Sequence, residues 1–384
     1  MTTAPNFGDD LFFSEEHIAY RDQIRRFVAT EISPNIQAWD DAGTFPRELY
    51  RKASEVGILP ARFPETYGGI EIDRFFTMIH HEEIAFAAPA VGANLTTHTL
   101  ALPPILSHGS EELRARIVPP VLSGDWLAAL AITEPGGGSD VASIATTARR
   151  DGDHYIVNGE KTFITGGMRA DVLTVAVRTG DRGRGGISVL VVEGDTPGLT
   201  RMRLRKMGWH CSDTATLHFQ DCRVPAANLV GEENRGFAIL MNNFNDERLY
   251  IAASAYGTAR AAFEEALDYA RIRKTFGKPI LEHQVIRHKL VDMAQKLAAT
   301  RAMLLSVTLR VDAGRAPVGE LSLLKNQATQ TLAFCANEAV QIFGGAGFMN
   351  GSKVERIYRE VKVMAIGGGT EEIMKELAAK QLGF

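Results

Sequence analysis

The residues of this 384-residue chain that could do chemistry fall into a few short runs. Residues 131–140 read Ala-Ile-Thr-Glu-Pro-Gly-Gly-Gly-Ser-Asp, a strand end running into a glycine-rich turn. Amides and hydroxyls exposed on such a turn can bind an anion or the edge of a heterocycle. Gly159-Glu160-Lys161-Thr162 is not a phosphate-binding P-loop, because Glu160 separates the glycine from the lysine. Gly136-Gly137-Gly138-Ser139 is not a nucleophile elbow, since Val141 occupies the second glycine position of that motif. No GxGxxG follows a strand and opens a helix, so a nicotinamide-binding βαβ unit has no support. His80-His81-Glu82-Glu83 lacks the HExxH order of a zinc protease and reads as a solvated helix face, so no metal is expected. Asp246-Glu247-Arg248, taken alone, reads as a surface carboxylate beside an arginine.

These runs need elements to hold them. Residues 11–125 read as helical, with Ser14 as an N-cap ahead of Ile18, Ile24, Phe27 and Val28 at helical spacing. Breakers recur at Pro34, Gly43, Pro46, Gly57, Pro60, Pro64 and Gly68-Gly69. The texture changes near residue 126. Residues 154–165 are strand-like around an Asn158-Gly159 hairpin signal, and 172–177 and 187–192 are short β-branched runs. Residues 214–219 alternate, and Pro225 closes the segment. From Gly236 the helical period returns, in stretches 252–273, 285–313 and 321–341 that lack internal proline. The expected architecture is multidomain α+β: an N-terminal helical domain (1–125), a β-domain (126–235) and a C-terminal domain like a four-helix bundle (236–384).

Composition narrows the function classes. A net charge of −4 points to neither nucleic acid nor an anionic membrane. The longest apolar runs, such as 126–132, fall far short of the roughly 18 residues a membrane span needs. The first ten residues show no basic stretch followed by an apolar run, so no secretory signal is expected. Three cysteines (Cys211, Cys222, Cys335) without CxxC spacing exclude a disulfide framework and fit a reducing cytoplasm.

Four of these runs together resemble the acyl-CoA dehydrogenase family, and the resemblance covers essentially the whole chain. Residues 133–140 match the family's T-E-P-x-x-G-S-D pattern. Residues 159–167 (Gly-Glu-Lys-Thr-Phe-Ile-Thr-Gly-Gly) resemble the segment whose aromatic packs on the FAD isoalloxazine and whose Thr or Ser hydrogen-bonds the flavin near N5. Phe163 and Thr165 hold those positions; Gly166 stands where many relatives carry Asn. N5 accepts the hydride, so a fixed donor there tunes reduction. The resemblance also implies FAD contacts from Leu130, Ile132, Thr133 and Ile164. Lys206-Met207-Gly208-Trp209-His210, continuing through Phe219 to Asp221 and Pro225, resembles a third family run and is read as scaffold.

The fourth group lies in the bundle. Arg273-Lys274-Thr275-Phe276-Gly277, followed by Gln284, resembles the family's R-x-x-F-G run and its later Gln. A guanidinium fork suits phosphate oxygens, so Arg273 is expected on the FAD pyrophosphate, with Thr275, Phe276 and Gln284 as further contacts. Residues 341–347, with Gln341, Ile342, Gly344 and Gly345, resemble a loop that family members offer to FAD across a subunit interface. On its own this Gly-Gly-x-Gly is a helix C-cap more often than a nucleotide contact. The resemblance implies a homotetramer, or at least a dimer.

The family carries its catalytic Glu at one of two sequence positions that serve the same substrate carbon. At the commoner one, before Gly-Thr near the C-terminus, this chain has Gly368 in Gly367-Gly368-Gly369-Thr370. At the other, used by long-chain and isovaleryl-type members, it has Glu247. A Gly at one and a Glu at the other make Glu247 the expected base, with Asp246 the main decoy. Glu371 and Glu372 fall past the base position, and Thr370 and Glu372 are expected near FAD. Arg248, Asn245, Ser139, Gly368 and Gly369 are expected on the substrate side. Residues 91–98 are expected at the acyl end, where Gly92 and Ala93 leave room for a long or branched tail. The resemblance thus implies FAD-dependent α,β-dehydrogenation of a long-chain or branched-chain acyl-CoA, in fatty-acid or branched-chain breakdown. An electron-transferring flavoprotein is the expected acceptor. The alternatives are an acyl-CoA oxidase or nitroalkane-oxidase-like enzyme on the same fold, against which the length and the lack of an extra C-terminal domain speak, or a non-catalytic scaffold, against which Thr165, Arg273 and Glu247 speak.

Overall fold

The computed structural model describes residues 9–384, so residues 1–8 of the stretch read for a secretory signal lie outside the described residues. The first seven helices are α1 (Glu15–Phe27), α2 (Ile36–Ala42), α3 (Glu48–Glu55), α4 (Arg74–Ala87), α5 (Pro89–Thr97), α6 (Leu102–His108) and α7 (Glu111–Leu122). Eight strands follow: β1 (Ala128–Ala131), β2 (Thr147–Asp151), β3 (His154–Thr165), β4 (Val172–Arg178), β5 (Ile187–Glu193), β6 (Leu199–Arg203), β7 (Thr214–Pro225) and β8 (Leu229–Val230). The chain ends with α8 (Gly236–Ile272), the small hairpin β9 (Lys274–Thr275) and β10 (Lys278–Pro279), then α9 (Gln284–Asp312), α10 (Val318–Phe343), α11 (Lys353–Ile366) and α12 (Glu371–Leu382). Helices, sheet, helices is the expected order. Among the described residues no helix is long and apolar enough to cross a membrane.

Packing sorts the chain into two compact units. One comprises Trp39–Ile72 and Ala93–Phe244; the other comprises the described residues up to Ala38, then Asp73–Gly92 and Asn245–Phe384.

The first unit is built on the sheet, in the order β6-β7-β3-β2-β4-β5-β8, with β1 parallel to β4. Over residues 172–177 β4 is apolar apart from Thr174, as suits a strand covered on both faces. Val172 and Ala176 pack with Ile105, Ile117 and Val121 of α6 and α7, while Leu173, Val175 and Val177 pack with Tyr155, Leu217 and Val224 of β3 and β7. The Asn158-Gly159 hairpin expected from sequence does not form. β3 runs straight through it, and the chain reverses instead at Gly152-Asp153, between paired Asp151 and His154. Gly152 at φ 62 supplies the left-handed residue that such a two-residue reversal needs. Gly159 marks a bulge where backbone comes close: a Cβ there would lie 2.6 Å from Thr146 Cα.

The second unit is the bundle. α1 begins as expected at Ser14, whose hydroxyl accepts from His17 N–H, while the Ser14 N–H donates to His17 Nδ1 at 3.0 Å. The solvated face expected at residues 80–83 is instead buried: Glu82 is 1% and Glu83 4% exposed. Arg260 of α8 donates to Glu82 Oε1 at 2.6 Å and to Glu83 Oε2 at 3.0 Å. Arg301 of α9 donates to Glu82 Oε2 at 2.6 Å, and Arg25 of α1 to Glu83 Oε1 at 3.0 Å. Burial works against ionisation of Glu83, but Arg260 and Arg25 outweigh it and hold its carboxyl below the ordinary range. His80 is pushed down to about 3 by burial and bonds the Tyr20 hydroxyl; His81 stacks on Tyr250 at 4.4 Å. The acidic run is therefore the hub that joins α1, α4, α8 and α9.

Removing one partner of a buried pair strands the other charge. Arg260→Met should lower stability by about 3–5 kcal/mol, read as a large fall in denaturation midpoint. Arg271→Met, at the exposed pair with Asp268, should change it by no more than about 0.5 kcal/mol.

Candidate active site

Successive helical residues point about 100° apart, and α8 uses this to separate three charged neighbours. Asp246 turns to Arg74 at the start of α4, whose Nη2 donates to it at 3.1 Å. Arg248 is buried; its Nη1 donates to Asn245 Oδ1 at 3.2 Å and its Nε to the Gly368 carbonyl at 3.4 Å. Glu247 faces between α8 and the α11–α12 connection. Burial pushes its carboxyl above the ordinary range, opposed by the positive charges of Arg248 and Lys325. Gly368 (φ 65) and Gly369 (φ 105) are both left-handed, and a Cβ on Gly368 would lie 3.5 Å from Glu247 Oε1 and 2.6 Å from Ile251 Cδ1. The two positions at which the base is expected therefore lie against each other. Glu371 is engaged elsewhere, with Gln330 at 2.8 Å and Lys375 at 2.7 Å. Thr370 caps α12 by accepting from Ile373 N–H, and Glu372 is exposed on the first turn of that helix.

The sheet unit positions a second group. Leu130, in β1, is partly buried, Ile132 is buried, and the Thr133 carbonyl accepts from Thr162 N–H at 2.9 Å. The glycine-rich turn that follows, with Ser139 exposed, is clipped shut by Glu134. The Glu134 carboxylate accepts from Ala145 N–H at 2.6 Å, Thr146 N–H at 2.9 Å and Lys161 Nζ at 2.7 Å. Burial lowers the Lys161 amine to about 8 despite Glu134, and Lys161 also reaches the Ile132 carbonyl at 3.0 Å. β3 bulges against β7 between Lys161 and Ile164. Ile164 is buried there, while Phe163 sits at φ 59 and is 68% exposed. A bulky residue in the left-handed region is strained, and this one leaves most of its surface exposed. Thr165 pairs with Thr214 at the strand end. The turn after it is fixed by Asp213, whose carbonyl accepts from Gly166 N–H at 3.0 Å and whose carboxylate takes Met168 N–H at 2.9 Å. The run read as scaffold thus holds the turn next to Thr165.

A third group gathers at the far end of α8, roughly 38 Å along the helix from Glu247 at 1.5 Å per residue. Arg273 is exposed there, and among the described residues no ion pair engages its guanidinium. Thr275 bonds His283 Nε2 at 3.2 Å, and Gln284 opens α9 exposed. Phe276, at the tip of the β9–β10 hairpin, has φ 51 and is 97% exposed. Tyr269 stacks on Phe343 at 4.1 Å, which brings the end of α10 to the same place: Gln341, Gly344 and Gly345 are exposed and Ile342 is buried.

The room expected beside Gly92 is taken. A Cβ there would meet Ile84 Cγ2 at 3.2 Å, so the glycine permits close approach of α5 to α4. Among residues given no role from sequence, Lys161 and Lys325 are fully buried. Lys325 had a legible signal: it falls on the apolar stripe Leu321, Leu324, Ala328, Leu332 of α10.

Comparison with known proteins gives three matching family models. They are described as acyl-CoA dehydrogenase N-terminal domain (residues 14–125), middle domain (129–222) and C-terminal domain (234–383). An acyl-CoA dehydrogenase of Bacillus subtilis is 40% identical over 97% of this chain and 99% of its own. The mitochondrial long-chain specific acyl-CoA dehydrogenase of Sus scrofa is 37% identical, covering 98% and 89%. Bovine (Bos taurus) isobutyryl-CoA dehydrogenase is 36% identical, covering 96% and 89%. Among solved structures, a probable acyl-CoA dehydrogenase of Mycobacterium abscessus superposes with TM-score 0.95 at 47% identity, covering 97% and 100%. A Mycobacterium smegmatis glutaryl-CoA dehydrogenase in complex with FADH2 superposes with TM-score 0.94 at 27% identity, covering 99% and 98%.

The raised carboxyl of Glu247 has a stability consequence. An acid whose folded pKa lies above its unfolded value is favourable while protonated and costs stability as pH rises through the folded pKa. Glu247→Gln should therefore melt higher than wild type at pH 7 to 8, with the gap closing towards pH 4. Melting curves across that range check it; a variant less stable at pH 8 contradicts it.

Proposed function

Because the chain belongs to the acyl-CoA dehydrogenase family, we propose that it oxidises the α–β bond of a long-chain or branched-chain acyl-CoA to the trans-2-enoyl-CoA, with Glu247 as base. The observation that carries this is the convergence of Gly368 and Glu247, with a Cβ on the glycine only 3.5 Å from the carboxylate oxygen. A carboxylate sent from either position would serve the same substrate carbon, and this chain has one there and not the other. The names of the long-chain and isobutyryl-CoA relatives support the substrate class.

Glu247 removes the pro-R α-proton. That proton is weakly acidic, so a carboxylate kept basic by its enclosure takes it more readily than one in water. Arg248, held by Asn245 and the Gly368 carbonyl, puts a fixed positive charge beside the base. Ser139, Asn245, Gly368 and Gly369 are assigned to the substrate side. FAD, when bound, supplies the acceptor for the β-hydride. The residues present fit it: Phe163 offers an exposed, strained aromatic two residues before Thr165, and Arg273 offers a guanidinium with no ion pair among the described residues. Leu130, Ile132, Thr133, Ile164, Thr370 and Glu372 are assigned as further contacts. The distance along α8 between Glu247 and the Arg273 group supports a homotetramer or dimer, in which Arg273, Thr275, Phe276, Gln284 and the Gln341, Ile342, Gly344 and Gly345 loop of one protomer serve the flavin of its partner. An electron-transferring flavoprotein is the proposed acceptor.

Glu247→Gln keeps the shape and removes the base. The protein should stay folded and yellow, while anaerobic flavin bleaching by straight and branched acyl-CoAs falls by more than the roughly 10²–10⁴ typical of general-base assistance. Near-wild-type bleaching would remove Glu247 from the mechanism. In Glu247→Gly with Gly368→Glu some activity should return. It should be partial, because Ile251 must shift and position errors near 1 Å cost about 10²-fold.

Arg273→Ala should purify largely without flavin and melt lower, since bound cofactor stabilises by mass action. Full flavin occupancy with an unchanged melting temperature would contradict the Arg273 assignment.

A further inference from the structure

Lys325 stands in the middle of α10 with apolar Leu321, Leu324, Ala328 and Leu332 around it, and none of its surface is exposed. A buried ammonium is costly unless something compensates it. Its Nζ donates to the Gly369 carbonyl. Two neighbours on α10 hold the same stretch of chain: Asn326 Nδ2 donates to the Glu371 carbonyl at 3.0 Å, and Gln330 Nε2 to the Glu371 carboxylate at 2.8 Å. α10 thus fixes the segment whose Gly368 stands opposite Glu247.

Charge gives a second, independent line. The cations facing Glu247 are Arg248, from its own helix, and Lys325, from α10. Lys325 in turn faces Glu247, Arg248 and Glu371. Burial lowers its amine to about 8, with Glu247 and Glu371 acting against that shift and Arg248 with it. At neutral pH it is therefore still mostly an ammonium. Burial favours the neutral form of Glu247, whereas a base must give up its proton before each turnover, and nearby positive charge works in that direction.

We propose that Lys325 is a positioning residue for the dehydrogenation: through the Gly369 carbonyl it fixes the turn facing Glu247, and with Arg248 it presents positive charge to the Glu247 carboxylate. This rests on the reading of Glu247 as the base.

The test is anaerobic stopped-flow flavin reduction by a saturating acyl-CoA that bleaches the wild-type flavin, from pH 5.5 to 9. The variants are Lys325→Met, Lys325→Gln and Lys325→Arg, with Glu247→Gln alongside. Met removes charge and donor, Gln removes charge but retains a donor, and Arg keeps both. Loss of the charge should move the ascending limb of the pH profile up by about one unit in Met and Gln, so the rate on the acid side of the limb falls about tenfold and recovers above the new midpoint. Lys325→Arg should keep the wild-type midpoint. If Met fails to fold, Gln decides. An unmoved midpoint, with only a lower melting temperature or lower flavin content, gives Lys325 a purely structural role and overturns the proposal. Glu247→Gln separates the two readings. If it abolishes reduction while the Lys325 midpoints stay put, only the Lys325 proposal falls; if it reduces flavin normally, the base assignment falls and takes the proposal with it.

Discussion

Two carboxylates buried side by side on α4 cannot both stay charged without cations brought to them from other elements. Glu82 and Glu83 receive those cations from α1, α8 and α9, as Arg25, Arg260 and Arg301. Each arginine is planar and forked, so each pairing fixes an orientation as well as a distance. The bundle packs around that arrangement. α8 is the helix that Arg260 fastens, and α8 also carries Asn245, Glu247 and Arg248 near one end and leads to Arg273 at the other. The direction in which Glu247 points therefore depends on a charge network several turns away from it.

The same logic recurs at smaller scale. Glu134 and Lys161 form a buried pair whose other bonds close the glycine-rich turn, so Ser139 is carried on a loop that both ends hold. Lys325 holds the Gly369 carbonyl in the bundle. In each case a lysine whose amine burial drives down to about 8 is kept by hydrogen bonds to backbone or carboxylate. Such groups are poor sources of net stability. What they contribute is a fixed position for backbone that has few side chains of its own.

Strain is distributed with equal selectivity. Phe163 and Phe276 both occupy the left-handed region, which costs an L-residue about 1–2 kcal/mol. Both are left exposed by the chain itself. Natural sequences seldom keep a bulky aromatic in that state without return, and these two lie in the runs that matched flavin-contacting segments. Gly368 is the converse: its left-handed turn suits glycine, and its missing side chain leaves space that Glu247 and Ile251 border.

Much of this was legible in the sequence because it depends on neighbours along the chain. The order of helices, strands and helices follows from the change in hydrophobic period. Ser14 caps α1 through a contact three residues away. The family-level pairing of Glu247 with a glycine at position 368 needed only residue identities. Tertiary structure alone decided the rest. The run at 80–83 is polar by every local measure, yet it is buried, because Arg301 reaches Glu82 from 219 residues further on. Asn158-Gly159 has turn chemistry, but pairing with β2 and β7 on both sides extends the strand through it. Gly92 looks like vacant space until Ile84 fills it, and the partner of Asp246, the decoy beside Glu247, is not visible until Arg74 reaches it. Local propensity is set within a few residues, whereas burial and pairing are set by whatever distant element the fold delivers. That is why a candidate base could be named from the chain, and its environment could not.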